Sequence, residues 1–218
     1  MSIPKIDNYL LPEPHELPIN KVAWQLEPQR AALLIHDMQM YFLNFWAKDS
    51  PTIHTLIEHI RLLRERCHQL EIPVFYTAQP NQQSDIDRAL LNDMWGPGLT
   101  RHPEQQKIVT ELSPTQEDTL LTKWRYSAFQ RSDLEERLQD KQRDQLIICG
   151  VYAHIGCLIT ATDAFMRDIQ AFMIGDALAD FSREEHMMAL RYTAGRSGRV
   201  LNTKQALSEL CGHPVDQQ

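Results

Sequence analysis

The stretch DQLIICGVYAHIGCLITATDA, Asp144–Ala164, decides the fold. Its first part, QLIICG (Gln145–Gly150), is a short and nearly continuous apolar run, as expected of a strand buried on both faces of a parallel sheet. A turn with a glycine at each end follows, GVYAHIG (Gly150–Gly156), and then an amphipathic segment that reads as a helix from about Gly156 to Arg167. Strand, turn and helix make half of a βαβ unit. The same turn raises a chemical question, because Cys157 opens the helix with Gly156 directly before it.

Working outward, the alternation repeats. AALLIHD (Ala31–Asp37), PVFYTAQ (Pro73–Gln79), TLLTK (Thr119–Lys123), AFMIGDA (Ala171–Ala177) and RVLN (Arg199–Asn202) read as further strands. Between them, TIHTLIEHIRLLRERCHQLEI (Thr52–Ile72) places Ile57, Ile60, Leu63 and Cys67 at helical spacing. SDLEERLQDK (Ser132–Lys141), SREEHMMALRYTAG (Ser182–Gly195) and TKQALSEL (Thr203–Leu210) are the other helices, with Ser182 as a cap and Glu185 at capping-box spacing. A polar loop from Pro80 to Glu117 holds a short helix around Asp85–Leu91, and residues 1–30, with five of the twelve prolines, form an irregular arm over the core. The expected architecture is α/β: one doubly wound, three-layer αβα domain over 1–218, with a mostly parallel six-stranded sheet.

Bulk properties narrow the function. A net charge of −7 argues against broad binding of nucleic acid or anionic membrane. No window approaches the ~18–20 apolar residues of a membrane helix, and the N-terminus lacks the apolar core of a signal peptide. Four widely spaced cysteines read as reduced thiols, which points to the cytoplasm. There is no G-x-G-x-x-G, no phosphate-binding G-x-x-x-x-G-K-[ST], no G-x-S-x-G and no H-E-x-x-H. No cofactor and no metal are expected.

Open α/β sheets bind ligands at the carboxyl ends of their strands. Those ends carry Asp37, Gln79, Lys123 and the glycine-flanked turn. Singly, Asp37 also reads as a cap, Lys123 as a solvated charge, and His36 and His154 as packed or hydrogen-bonded side chains. It is their joint placement that points to a site.

The blocks LLIHDMQMYF, VFYTAQP, DRALLNDMWGPGL, TKWRYSAF, GVYAHIGCLITATDAFMRDI and DALADFSREEH resemble the isochorismatase family, in order and over nearly the whole chain, and most of all its siderophore-type isochorismatases. The resemblance implies hydrolysis of the enolpyruvyl ether of isochorismate to pyruvate and 2,3-dihydro-2,3-dihydroxybenzoate, in the synthesis of catecholate siderophores. It also implies Asp37 as general acid toward the vinyl carbon and Lys123 as its partner. The wider superfamily completes an Asp–Lys–Cys triad with a thiol that falls on Gly156, not on Cys157, so that Gly156 leaves room for substrate or water beside Asp37. By the same resemblance Gln79 and Arg88 bind substrate oxygens, Phe42, Trp95 and Tyr152 form apolar walls, and the Val151–Tyr152 peptide is cis. Relatives suggest a homo-oligomer, a dimer first, and siderophore-synthetase proteins as partners. Met40 departs from the acidic residue common at its position, and no G-x-D-S motif of a carrier domain is present. The competing readings are a hydrolase of 2-amino-2-deoxyisochorismate in phenazine synthesis, a cysteine amidase using Cys157, and a non-catalytic docking module.

Overall fold

The computed structural model describes residues 3–213, so the first two and last five positions of the expected 1–218 unit lie outside the described residues. Its strands are β1 (Ala31–His36), β2 (Val74–Ala78), β3 (Thr119–Thr122), β4 (Gln145–Val151), β5 (Gln170–Ala179) and β6 (Gly198–Leu201). They form one sheet in the order β3-β2-β1-β4-β5-β6, every neighbouring pair parallel. All residues of β1 and β4 are buried, as their apolar composition requires of strands covered on both faces.

The helices are α1 (Met40–Leu43), α2 (Pro51–Gln69), α3 (Asp85–Arg88), α4 (Leu91–Trp95), α5 (Leu134–Asp140), α6 (Leu158–Phe165), α7 (Arg183–Arg196) and α8 (Thr203–Leu210). Side-chain alternation along the strands sorts them into two layers. Leu33, Ile35, Ile147 and Cys149 face α2 and α8, whereas Ala32, Leu34, Leu146 and Ile148 face α5, α6 and α7. The expected three-layer αβα arrangement is therefore present. None of the described helices is long and apolar enough to cross a membrane.

Departures from the sequence reading have local causes. The buried stripe of α2 runs through Ile53, Leu56, Ile60, Leu63 and Cys67, so that Leu56 joins the core face and Ile57 packs half-buried at its edge. That helix stops at Gln69 because Glu71 takes a positive φ of 54°. The short helix expected over Asp85–Leu91 splits into α3 and α4 at Ala89, whose φ is 45°. The loop around it contains three 3-10 turns, Gly98–Arg101, Pro103–Gln105 and Thr110–Leu112. The helix expected from Gly156 begins as a π turn over Ala153–Cys157 and becomes α-helical only at Leu158. Asn202, read as the end of a strand, caps α8 by accepting from the Gln205 N–H at 2.8 Å, with Gln205 Oε1 accepting in return. The N-terminal arm is irregular apart from a 3-10 turn at Pro14–Glu16, and it is held down by buried Ile3, Ile6 and Leu26.

Candidate active site

The sheet reverses its winding at β1, which has β2 on one side and β4 on the other. The crevice beyond the carboxyl end of such a switch point is where open α/β sheets place ligands. Asp37 is the first residue after β1, Lys123 the first after β3, and β4 ends at Val151 before Tyr152. Asp37 takes a φ of 50°, a left-handed conformation that aspartate tolerates better than most residues. Thr77, on β2, donates to Asp37 Oδ1 at 2.6 Å and accepts from the Asp37 N–H at 3.1 Å. Lys123 Nζ donates to Asp37 Oδ2 at 2.9 Å.

This ion pair is buried, Lys123 being 3% and Asp37 5% exposed. Burial presses the Asp37 carboxyl upward, but the Lys123 ammonium and the hydrogen bonds from Thr77 and Lys123 outweigh it. The carboxyl is held below the usual carboxylate range and is ionised in the free site. Gln39, fully buried, ties the end of β2 to the loop at Gln106. Its amide donates to the carbonyls of Gln79 and Gln106 and accepts from the Gln79 N–H.

Asp37, Lys123, Gln79, Arg88 and Gly156 all line one cavity at this end of the sheet, a placement typical of small-ligand sites. Phe42, Trp95 and Tyr152 stand in its wall as expected. Tyr152 packs edge-on to Phe42 and Phe181 and donates its hydroxyl to the Phe42 carbonyl at 2.7 Å. The Val151–Tyr152 peptide is cis, as the resemblance implied. Arg88 is buried and spends Nε on the Gly96 carbonyl and Nη1 on Gln83, with no carboxylate partner among the described residues. The lining also contains Arg125, Tyr126, Tyr41 and Phe181, which the sequence reading did not single out. Arg125 follows Lys123 by two residues, and Tyr126 accepts a hydrogen bond from the Trp95 indole at 2.8 Å. Arg125 has no carboxylate partner among the described residues either; its Nη1 donates to the Asp87 and Trp124 carbonyls.

One expectation needs correction. Gly156 does border the cavity, but it does not leave room beside Asp37. A Cβ placed on Gly156 would lie 2.1 Å from His36 Cε1, so the imidazole already fills that space. Cys157 is fully buried among apolar residues on the α6 side of the sheet, and burial pushes its thiol well above the ordinary range. It is absent from the cavity lining.

A chain-wide comparison agrees with this geometry. Residues 31–205 match the family model for the isochorismatase domain. Enterobactin synthase component B of Escherichia coli is 65% identical over 207 residues, which cover 95% of this chain and 73% of that protein. Isochorismatase of Bacillus subtilis is 53% identical across 100% of this chain and 70% of its own length. Phenazine biosynthesis protein PhzD1 of Pseudomonas aeruginosa stands further off, 47% identical over 94% of this chain and 99% of its own. A parallel sheet with its cavity at the switch point, a family domain over most of the chain and relatives of this identity lead to one assignment: the chain belongs to the isochorismatase family.

Proposed function

We propose that the chain hydrolyses the enolpyruvyl ether of isochorismate to pyruvate and 2,3-dihydro-2,3-dihydroxybenzoate, a step toward catecholate siderophores. The observation that carries this reading is the buried Asp37–Lys123 pair at the end of an aromatic, cation-lined cavity that none of the four cysteines lines. An ether of this kind needs a proton on carbon and a water molecule, not an acyl-enzyme. The identities to an enterobactin synthase component and to an isochorismatase favour this substrate over 2-amino-2-deoxyisochorismate.

In this reading the substrate is a dianion, and Arg88 and Arg125 receive its carboxylates. Guanidinium forks suit that geometry, and neither is neutralised by a carboxylate of the described chain. Negative charge arriving near Lys123 offsets the field that keeps Asp37 ionised, and Asp37 takes up a proton. Asp37 then protonates the terminal vinyl carbon, leaving an oxocarbenium ion. Water adds to that centre and returns its proton to the Asp37 carboxylate. The resulting hemiketal collapses to pyruvate and the ring alcohol. Gln79 holds a substrate oxygen, and Phe42, Trp95 and Tyr152 exclude stray water. The reaction runs in the cytoplasm, in a homodimer working beside siderophore-synthetase proteins; light scattering tests the dimer.

The experiment measures pyruvate release from isochorismate and from 2-amino-2-deoxyisochorismate, and ammonia release from nicotinamide, in parallel. Turnover of isochorismate well above the other two, lost in Asp37→Asn, is the expected result. Ammonia release from nicotinamide that disappears in Cys157→Ala would overturn the reading.

A further inference from the structure

The turn GVYAHIG has glycine at both ends, and both glycines lie against the same residue. Gly150 has a φ of 111°, and a Cβ there would lie 2.2 Å from the His36 carbonyl oxygen. At the other end a Cβ on Gly156 would lie 2.1 Å from His36 Cε1 and 2.8 Å from Nε2. Contacts that short do not occur between real atoms, so a side chain at position 156 must displace the imidazole. The ring has nowhere to go. It is 0% exposed, and its Nδ1–H donates to the Val151 carbonyl at 2.8 Å.

The ring also sits at the reacting pair. Asp37 Oδ2 is 2.9 Å from Lys123 Nζ and 3.5 Å from His36 Nδ1. Lysine, aspartate and imidazole therefore form one buried cluster, with the imidazole as its third corner. We propose that His36 is the specificity-determining residue of this site: its imidazole takes the corner beside Asp37 and Lys123 that a side chain at position 156 would occupy, and so closes the site to a nucleophile. Burial and the nearby ammonium of Lys123 lower the His36 pKa to about 4, which keeps this plug neutral and adds no second cation against Lys123. Substrates that need only protonation and water, such as enol ethers, are served by the cluster as it stands. Amides that need a covalent partner are not. The functional meaning rests on the ether-hydrolase reading above; the steric pairing does not.

A double-mutant cycle tests the pairing through stability. Gly156→Ala alone should lower the melting temperature by roughly 5–10 °C, because overpacking a rigid core strains it. His36→Ala combined with Gly156→Ala should melt above Gly156→Ala alone. A second arm uses a Cys211→Ser background, which removes the one exposed cysteine. In it, His36→Ala with Gly156→Cys is treated with iodoacetamide, and the modified peptide is located by mass spectrometry. The thiolate displaces iodide to form a carbon–sulfur bond, and the thiol proton passes to solvent. Alkylation at position 156 in the folded double variant is expected. Wild-type melting in Gly156→Ala, additive losses around the cycle, or a folded double variant left unalkylated at 156 would each overturn the inference. If wild-type protein instead releases no pyruvate from isochorismate, the ether-hydrolase reading fails while the cycle still reports on the pairing.

Discussion

Replacing Lys123 with methionine keeps the length of the side chain and removes the charge that holds Asp37 ionised. The wild-type sign is clear: Asp37 has a depressed folded-state pKa. Its contribution to stability is present above the unfolded value of about 3.9 and is lost as pH falls through the lower folded value. In Lys123→Met only burial remains as a strong influence, and it acts in the opposite direction. A buried carboxyl without a counter-charge is raised by about 3 units, equivalent to about 4 kcal/mol. That agrees with the ~3–5 kcal/mol typical of breaking a buried ion pair from one side. His36 stands 3.5 Å away and shares the proton, so the uptake belongs to the pair and not to one residue. The native variant thus binds more protons than its unfolded chain above pH 4, and it loses stability as pH rises. Between pH 5 and pH 7 the gap to wild type should widen by about 2 kcal/mol, or roughly 4–8 °C in melting temperature for a chain of this size. Thermal melts of both proteins across that range read the gap directly. A gap that stays constant from pH 5 to pH 7 would refute the ion pair as the source of the low Asp37 pKa.

Three further outcomes follow from the same site. Asp37→Asn keeps the shape but has no proton to give, and should lower kcat for isochorismate by at least the ~10²–10⁴-fold that general-acid catalysis supplies. Steady-state kinetics with a coupled pyruvate assay checks it. Arg125→Gln removes a guanidinium with no carboxylate partner among the described residues and should raise KM by roughly tenfold or more, since a charge-assisted hydrogen bond is worth about 1.5–3 kcal/mol; an unchanged KM would remove Arg125 from the substrate site. Cys157→Ala deletes one buried sulfur outside the cavity and should leave kcat within about twofold while lowering stability by ~1 kcal/mol.

Much of this organisation was legible because it is written in short apolar runs and in strand ends. The six strands fall within three residues of their expected limits at each end, since buried parallel strands carry a compositional signal that does not depend on distant contacts. Asp37, Gln79 and Lys123 converge for the same reason, each following or closing a recognisable strand. Segments whose shape depends on isolated backbone choices were less legible. Ala89 adopts a positive φ despite its Cβ, and nothing in the polarity pattern of DRALLND (Asp87–Asp93) announces the break it makes between α3 and α4. Arg125 and Tyr126 were hidden in plain view beside Lys123, because a residue just past a strand end can face either the cavity or solvent and periodicity does not choose between them.

Gly156 shows how such a gap arises and what closes it. The family resemblance puts the superfamily's thiol position at Gly156, which lines the cavity with Asp37 and Lys123, and the missing side chain suggested open space there. Whether space is open depends on what lies across the sheet, and position 156 lies 120 residues from His36 in sequence. Only the pairing of β4 beside β1, in which Gly150 stands opposite His36, brings the π turn down onto the imidazole. A glycine in this turn therefore reports a neighbour and not a void. The same logic assigns histidine at position 36 its use: a flat, neutral ring that donates to the Val151 carbonyl fills the corner without placing another charge beside Lys123. His36→Leu tests that distinction. Leucine supplies bulk without the hydrogen bond, so it should keep position 156 closed to iodoacetamide in the Gly156→Cys background while leaving the Val151 carbonyl unpaired, at a cost of ~1–3 kcal/mol read as a lower melting temperature. Alkylation at position 156 in that variant would show that the hydrogen-bonded ring, and not bulk alone, keeps the corner shut.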